Sequence, residues 1–277
     1  MNTQGYHAAL PPDALWHMKR QLLFVQGDDM NVLKAVLALF AITVCCASQV
    51  QAEDKHWAYA GHGGPAEWGE LDSAFATCKL GKFQSPIDIR DARAADLPAI
   101  KFDYKPSPLK VIDNGHTIQV NYAPGSSIDV GGTRYELVQF HFHKPSEEKI
   151  DGKAHAMVVH LVHKGADGKL AVVAVMLDKG AANSTISMIW RNLPKEKEKE
   201  TSVKATIDAA TLLPGDKGYY TFQGSLTTPP CSEEVRWFVL KTPVNISESE
   251  ITAFGKLYPM NARPTQPRNG RAIEATR

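Results

Sequence analysis

The stretch QFHFHKPSEE, residues 139–148, places two histidines one residue apart, at His141 and His143. It completes a longer alternating stretch, YELVQFHFH (135–143), and this pattern predicts a strand because successive side chains of a strand point to opposite faces. The two histidines therefore share one face and the two phenylalanines share the other. Residues at i and i+2 of a strand lie roughly 6.5–7 Å apart, so both imidazoles can reach one ion. Chance surface composition would also explain the spacing.

A second stretch with histidines, HAMVVHLVH (155–163), follows a short loop. It is placed to pair with the first strand as an antiparallel neighbour, which would bring His160 alongside the pair. His163 is three residues further on and faces the other way, and His155 is out of phase with the pair. Three neutral imidazoles on a rigid sheet suit a zinc ion with one open coordination position.

The rest of the chain from about residue 55 also predicts strands and few helices. KLAVVAVML is a continuous apolar run that predicts a strand buried on both faces, and paired turn residues separate the apolar stretches. We therefore expect a β-rich single domain with a mainly antiparallel or mixed sheet. The predicted strands are 116–122, 135–143, 155–163, 169–177 and 234–246, and the predicted helices are 183–193 and 247–258.

Composition excludes some classes of function. The 277 residues carry a formal net charge of +1, so the basic excess of a nucleic-acid-binding protein is absent and no nucleic-acid partner is expected. Hydrophobic residues make up 43% and charged residues 22%, as in an ordinary globular protein.

The N-terminal part reads as a leader. Residues 30–52 combine one lysine, an apolar run from Ala35 to Ala47 and a small-x-small end at residues 50–52, which is the layout of a secretory signal peptide. A membrane anchor is the alternative, but the run is shorter than the ~20 residues that a spanning helix needs. We expect residues 1–29 to be an upstream extension and residues 53–277 to form the domain, periplasmic or secreted, with no stable membrane anchor after cleavage.

Cysteine usage agrees with export. Removal of the leader would leave two cysteines, Cys78 and Cys231. An even count in an exported chain favours a disulfide.

The sequence resembles the α-class carbonic anhydrases, in particular exported bacterial members. Each matching stretch is weak alone, but eight in order are specific. The resemblance implies one domain around a large twisted central sheet with a few short peripheral helices, and a bridge between the two cysteines. The matching stretches are HWAY (56–59), GPAEW (64–68), QSPIDI (84–89), DNGHTIQV (113–120), FHFHKPSEE (140–148), HLVH (160–163), GSLTTPPCSE (224–233) and NARPTQP (261–267).

The resemblance also implies an activity: reversible hydration of carbon dioxide to bicarbonate and a proton. Zinc would be held by the same three histidines, and a zinc-bound hydroxide would attack carbon dioxide. Thr227 would accept a hydrogen bond from this hydroxide and donate one to Glu147, while Thr228 would seat bicarbonate. Without the histidines, TTPP (227–230) would be read as an ordinary turn.

Further roles follow from the same resemblance. Gln139 would orient His141, and an exposed His116 would carry the proton to solvent, since an imidazole titrates near neutral pH. The resemblance also implies an apolar wall that holds carbon dioxide, formed by Val162, Val172, Leu226 and Trp237. Taken singly, each of these residues is more often an ordinary member of a hydrophobic core.

One position departs from the family pattern. A glutamate usually lies two residues before the third zinc histidine and orients its ring, but here that position is Val158. A water, a carboxylate from elsewhere or no partner would then face the outer nitrogen of His160. We expect a water or a loosely held ring, so that Val158→Glu would retain zinc more firmly.

Two other functions remain open. Carbonic-anhydrase-like domains that lost catalysis serve as binding modules, but they typically lack a zinc histidine, and all three are present here. A zinc esterase is the second alternative, most simply as a side activity. Zinc content and carbon dioxide hydration, measured on one sample, separate the three functions. The chain is expected to be a monomer or a homodimer.

Overall fold

The computed structural model describes residues 56–277. The predicted leader, residues 30–52, and the upstream segment, residues 1–29, lie outside this range. Within it the strands are β1 (Asp88–Ile89), β2 (Arg93–Ala95), β3 (Lys101–Asp103), β4 (Ser107–Asp113), β5 (Ile118–Asn121), β6 (Ser127–Val130), β7 (Thr133–His143), β8 (Lys149–Ile150), β9 (Lys153–Ala154), β10 (Met157–Gly165), β11 (Leu170–Lys179), β12 (Thr201–Ile207), β13 (Tyr219–Ser225), β14 (Glu233–Leu240), β15 (Val244–Ile246) and β16 (Glu274–Thr276).

Helices are short and few in the described range. They are α1 (Trp68–Leu71), α2 (Thr77–Leu80), α3 (Ser184–Arg191) and α4 (Glu248–Leu257), with 3₁₀ turns at Ser73–Phe75 and Ala209–Leu212.

Thirteen of the strands form one mixed sheet. Its main path runs β12-β4-β5-β7-β10-β11-β14-β13-β16-β2, and β3, β6 and β15 pair at its margins. The β5-β7-β10-β11 part is antiparallel, whereas β11 pairs with β14 in parallel. A small second sheet has the order β1-β8-β9. The predicted β-rich fold around a large central sheet is confirmed.

Strand β11 lies at the centre of the core and is buried on both faces, as predicted. Val173 and Val175 face the main apolar cluster, which also receives Phe140 and Phe142 from β7. On the other face, Val172 joins a second apolar cluster with residues of β10 and β14. Alternation along a strand thus divides one apolar run between two cores.

Both predicted helices are present with slightly shorter bounds. Ser247 caps α4 in a reciprocal capping box with Glu250, and the side chain of Asn183 caps α3 by accepting from two backbone N–H groups. Glu250 also accepts a hydrogen bond from Ser187, which ties the two helices together.

The predicted strand 234–246 is wrong as one unit, because it divides into β14 and β15. Pro243 lies in the gap, and a proline has no N–H to donate to a ladder. The second part pairs further along β11, at Leu177 to Lys179. The turn at Asp151-Gly152 is present between β8 and β9, with φ of 50° and 81°, a pair of left-handed conformations that favours glycine at the second position.

The predicted disulfide between Cys78 and Cys231 is confirmed, with a Cα–Cα distance of 4.9 Å. The bridge joins α2 to the loop that follows β13. Arg263 is buried beside it and donates to the Cys78 carbonyl (3.0 Å) and to the Gln84 side chain (2.9 Å). Gln84 in turn donates to the Cys231 carbonyl (3.0 Å), so the bridge, its loop and the C-terminal segment form one hydrogen-bonded unit.

No helix within residues 56–277 is long and apolar enough to cross a membrane.

The disulfide should contribute strongly to stability. The bridge spans 153 residues of sequence, and in the chain-entropy model closure of a loop this long stabilises the fold by about 4–5 kcal/mol. A variant with Cys78→Ala and Cys231→Ala should therefore unfold at a clearly lower urea concentration than the oxidised protein. The unreduced, denatured mature chain from about Glu53, which lacks Cys45 and Cys46, should show almost no free thiol. Two free thiols per mature chain, or equal unfolding midpoints, would contradict the bridge's role.

Candidate metal centre

The register between β7 and β10 brings three histidines together. His160 lies directly opposite His141 in the antiparallel ladder, and His143 is two residues further along β7 on the same face. The ring centroids are 5.5 Å apart for His141 and His160, 5.0 Å for His141 and His143, and 4.7 Å for His143 and His160. One nitrogen of each ring lies within 4.8 Å of the corresponding nitrogens of the other two. The predicted trio is therefore assembled.

Each ring is held from outside by an oxygen acceptor. Nδ1 of His141 lies 2.8 Å from Oε1 of Gln139, and Nδ1 of His143 lies 2.7 Å from the Asn261 carbonyl. An acceptor at Nδ1 places the ring proton there, so Nε2 of each ring carries the lone pair that a metal needs. Nε2 of His143 is buried and has no hydrogen-bond partner among the described residues.

The third ring is held by a carboxylate. Nε2 of His160 lies 3.0 Å and 3.2 Å from the two carboxylate oxygens of Glu148, so its Nδ1 is the nitrogen that faces the other histidines. The expectation that His160 has only water or no partner is therefore wrong. A buried glutamate from the loop after β7 fills the role that Val158 cannot fill.

Burial controls the charge of these rings. It lowers the pKa of His141 to about 3 and that of His143 well below its ordinary value, and the neighbouring His160 adds to both shifts. Both rings are therefore neutral at pH 7 and can act as ligands. Burial also lowers the pKa of His160, but Glu148 and Glu147 outweigh it and raise that pKa overall. The same negative charge would attract a metal cation.

Glu147 lies against the inner side of the trio. Its Oε1 accepts the backbone N–H of Arg263 (2.8 Å), while its Oε2 lies 3.5 Å from Nε2 of His143 and has no hydrogen-bond partner within residues 56–277. Burial raises the pKa of Glu147 to about 7; Glu148 adds to the rise, and His160, a hydrogen bond from Thr227 and the Arg263 N–H oppose it. Thr227 therefore lies close enough to Glu147 to lower the pKa of that carboxyl, and its role as the partner of Glu147 stays a prediction.

Comparisons with known proteins agree with this geometry. A family model described as eukaryotic-type carbonic anhydrase matches residues 63–277. A carbonic anhydrase of Nostoc sp. is 41% identical over 261 residues, which cover 92% of this chain and 96% of the relative. One from Pectobacterium carotovorum is 42% identical over 242 residues, which cover 87% and 99%.

The fold comparison points the same way. The structure of a hyperthermostable carbonic anhydrase from an active hydrothermal vent chimney is matched with a TM-score of 0.78 and 46% identity, over 80% of this chain and 100% of that one. The α-carbonic anhydrase of Thermovibrio ammonificans, solved with the inhibitor sulfanilamide, is matched with a TM-score of 0.77 and 41% identity, over 80% and 99%.

The chain belongs to the α-class carbonic anhydrases. It is thus an enzyme, and membership of the family implies hydration of carbon dioxide. The donor set also fits the zinc of a carbonic anhydrase: three buried imidazoles, each with an acceptor at its outer nitrogen, offer their inner nitrogens as an N₃ site that leaves a fourth position for water or substrate.

Four apolar residues predicted for the carbonic anhydrase wall lie together. Val162, Val172 and Trp237 are buried in one cluster, and Leu226 packs against it. The ladder places Val162 opposite Val172, and Val172 opposite Trp237. The Trp237 ring lies edge-on to His160 at 5.0 Å, so the cluster extends to the metal centre.

The loop after β13 carries both predicted threonines. Thr227 is buried, and Thr228 is partly exposed. The Thr228 carbonyl accepts the N–H of Cys231 (2.8 Å), and this bond closes the turn that carries both threonines next to the disulfide.

His116 does not lie as expected. Its ring is half-buried, stacked on Trp57 at a centroid distance of 3.6 Å, with His56 at 5.2 Å. Burial, with smaller contributions from His56 and Lys197, lowers its pKa to about 4. The prediction of an exposed ring that titrates near neutral pH is therefore wrong for this position of the side chain.

His163 on β10 and His155, just before β10, have partners away from the metal centre, as their spacing predicted. His163 is buried on the opposite face and its Nε2 lies 2.8 Å from the Tyr104 hydroxyl. His155 pairs with Asp178, with 2.9 Å between Nδ1 and the carboxylate. Neither contacts the metal centre.

Sequence reasoning missed three residues of the site: Glu148, Asn261 and Trp57. Asn261 is fully buried and, besides holding His143 through its carbonyl, donates from its side chain to the carbonyls of His116 and Phe142. All three lie within stretches that carried the resemblance, but only folding reveals their contacts. Only Glu148 could have been suspected from the sequence, because it is a second glutamate directly after Glu147.

The stacking of His116 on Trp57 has a testable consequence. In a pH titration followed by NMR, the His116 ring should protonate with a midpoint near pH 4. Trp57→Ala should raise this midpoint towards the ordinary value of about 6.5 by exposing the ring, whereas Trp57→Phe should keep it low. A wild-type midpoint near 6.5 would show that the ring does not rest on Trp57.

Proposed function

We propose that this protein is an exported zinc carbonic anhydrase that converts carbon dioxide and water reversibly to bicarbonate and a proton. The observation that carries the proposal is the set of three imidazoles whose outer nitrogens are all matched with acceptors, so that three lone pairs converge. Structural zinc sites are almost always closed by four protein ligands, whereas the described residues bring three together here, as in catalytic zinc sites.

His141, His143 and His160 would hold the zinc, through Nε2, Nε2 and Nδ1 respectively. A zinc ion bound there would act as a Lewis acid that turns water into a nucleophile at neutral pH. The protein's own contribution is to orient the three rings through their outer acceptors and to keep His141 and His143 neutral.

Thr227 and Glu147 would select what binds at the open position. An ionised carboxylate can only accept hydrogen bonds, so the Thr227 hydroxyl would donate to the ionised form of Glu147 and its oxygen would remain as an acceptor. Only a ligand with a proton to donate can then satisfy that oxygen. The pair would thus fix the direction of the attacking lone pair and reject ligands that lack such a proton.

The apolar cluster at the metal centre suits the substrate. Carbon dioxide is small and carries no net charge, so Val162, Val172, Leu226 and Trp237 would hold it by exclusion of water and by contact rather than by hydrogen bonds. Thr228, at the edge of the same loop, would help to seat the bicarbonate product.

We propose His116 as the group that carries the product proton to solvent. In the stacked position its pKa of about 4 makes it a weak base, and proton transfer works best when the pKa lies near the working pH. The ring would therefore have to leave Trp57 by rotation of its side chain before it accepts the proton.

Export is supported by the disulfide. A structural disulfide persists in oxidising compartments and is rare in the cytosol, so the Cys78–Cys231 bridge favours a periplasmic or secreted location. The layout of residues 30–52 as a signal peptide supports the same location.

Zinc content and stopped-flow carbon dioxide hydration, measured on one preparation, test the proposal. We expect one zinc per chain and rapid hydration. Thr227→Val should lower kcat/KM by about 10–100-fold, since a hydrogen bond to a charged group contributes about 1.5–3 kcal/mol. Thr206→Val, on the exposed side of β12, is the matched control and should leave the rate unchanged.

Two results would contradict the proposal: a folded chain that binds no zinc, or a zinc-loaded chain that hydrates carbon dioxide no faster than the buffer does. The N-terminus of the same exported preparation should lie at or near Glu53 if the leader is removed.

A further inference from the structure

The two strands of the metal centre support their histidines differently. On β7, Gln139 lies two residues before His141 and supplies the acceptor for its outer nitrogen. The equivalent position on β10, two residues before His160, is Val158. This valine is fully buried in the second apolar cluster and offers no acceptor. The support of His160 must therefore come from outside its own strand.

Glu148 provides that support from the loop after β7. Its side chain is fully buried, and the two carboxylate oxygens lie 3.0 Å and 3.2 Å from Nε2 of His160. Among the described residues the Oε1 atom has no separate hydrogen-bond partner, so the carboxylate has this ring as its principal donor.

The loop holds Glu148 in place by contacts near the start of β10. The Ser146 hydroxyl donates to the Glu148 carbonyl (2.7 Å). Ser146 is itself joined to His155 by two hydrogen bonds: its N–H donates to the His155 carbonyl (3.1 Å), and its hydroxyl accepts the His155 N–H (2.9 Å). The position of the carboxylate is thus tied to the strand whose histidine it contacts.

Burial of the Glu148 carboxylate costs free energy unless a partner compensates its charge. Glu147 and Glu148 are adjacent, both buried, and a buried carboxylate without a charged partner costs several kcal/mol. The described residues provide no lysine or arginine ion pair for Glu148, although they pair other carboxylates in this way. A ring that donates a proton on one side and binds a cation on the other would compensate this cost.

We propose that Glu148 is the positioning residue of the third metal ligand, His160. It holds the ring in the tautomer with the proton on Nε2, so that Nδ1 presents its lone pair to the metal, and its negative charge makes the imidazole a stronger donor. This inference rests on the proposed function in one respect: the ion used to test it is zinc.

The proposal reverses the expectation for Val158→Glu. With Glu148 in place, a glutamate at position 158 would add a third buried carboxylate to Glu147 and Glu148 and would displace apolar packing. Like charges in a buried site repel, so this variant should hold zinc no better than wild type.

Zinc affinity, measured by competition with a chelator at one pH, is the decisive quantity. Loss of an outer partner of a metal-binding histidine typically costs 10–100-fold in metal affinity. We expect a loss of about 10-fold for Glu148→Gln, which keeps an oxygen acceptor but no charge, and of up to about 100-fold for Glu148→Ala. Glu148→Ala combined with Val158→Glu should recover part of the loss, because residue 158 shares a face with His160.

Glu250→Gln is the matched control for a general loss of stability. Glu250 is also a buried carboxylate with several donors, but it lies on α4, so its replacement should lower the unfolding midpoint and leave the zinc affinity of the folded protein unchanged. A second readout is the NMR signal of the His160 ring N–H in zinc-loaded protein. It should lie far downfield in wild type and move upfield in Glu148→Gln, as the charge-assisted hydrogen bond is lost.

Two results would overturn the proposal. One is wild-type zinc affinity and an unmoved ring N–H signal in Glu148→Gln; this comparison stands even if the alanine variant fails to fold. The other is tighter zinc binding in Val158→Glu than in wild type. A wild-type protein that binds no zinc would instead refute the proposed function, and this outcome is seen before any variant is compared.

Discussion

The pairing of β7 with β10 is the constraint on which the rest of the site depends. Side chains alternate along a strand, so a slip of one residue would turn His160 away from His141 and bury it in the opposite core. The apolar residues on both strands prevent that slip, because Phe140 and Phe142 must face the main cluster while the histidines face the other side. Core packing therefore sets the position of the metal ligands, and the ligands need no loop to bring them together.

Register positions the rings, and the outer acceptors then choose which nitrogen faces inward. Gln139, the Asn261 carbonyl and Glu148 come from a strand, from the C-terminal segment and from a loop. Three separate parts of the chain thus together decide which nitrogen of each ring faces the metal. Burial keeps His141 and His143 neutral, while Glu148 and Glu147 raise the pKa of His160 and would compensate the charge of a bound cation. Arg263 donates hydrogen bonds to Glu147 and to the carbonyl of Cys78, and the disulfide links Cys78 to the loop that carries Thr227.

Much of this architecture could be predicted from periodicity, and the rest depends on long-range contacts. The alternation in 135–143 and 155–163 predicted two adjacent strands and the trio itself, because strand geometry is local. The division of 234–246 into β14 and β15 could not be read from composition, since it depends on where each part finds a partner along β11. The contact of Glu148 with His160 and the stacking of His116 on Trp57 are set by tertiary packing, which overrode the expectations for Val158 and for an exposed His116.

The geometry of the site presents Nε2 of His141, Nε2 of His143 and Nδ1 of His160 to one ion. Anomalous diffraction at the zinc edge, from a crystal of the zinc-loaded protein, shows directly which nitrogens bind the metal. We expect one strong peak per chain, within about 2.0–2.1 Å of these three nitrogens, with Glu148 still in contact with Nε2 of His160. A peak bonded to Nε2 of His160, or a zinc held away from the trio, would contradict this expectation.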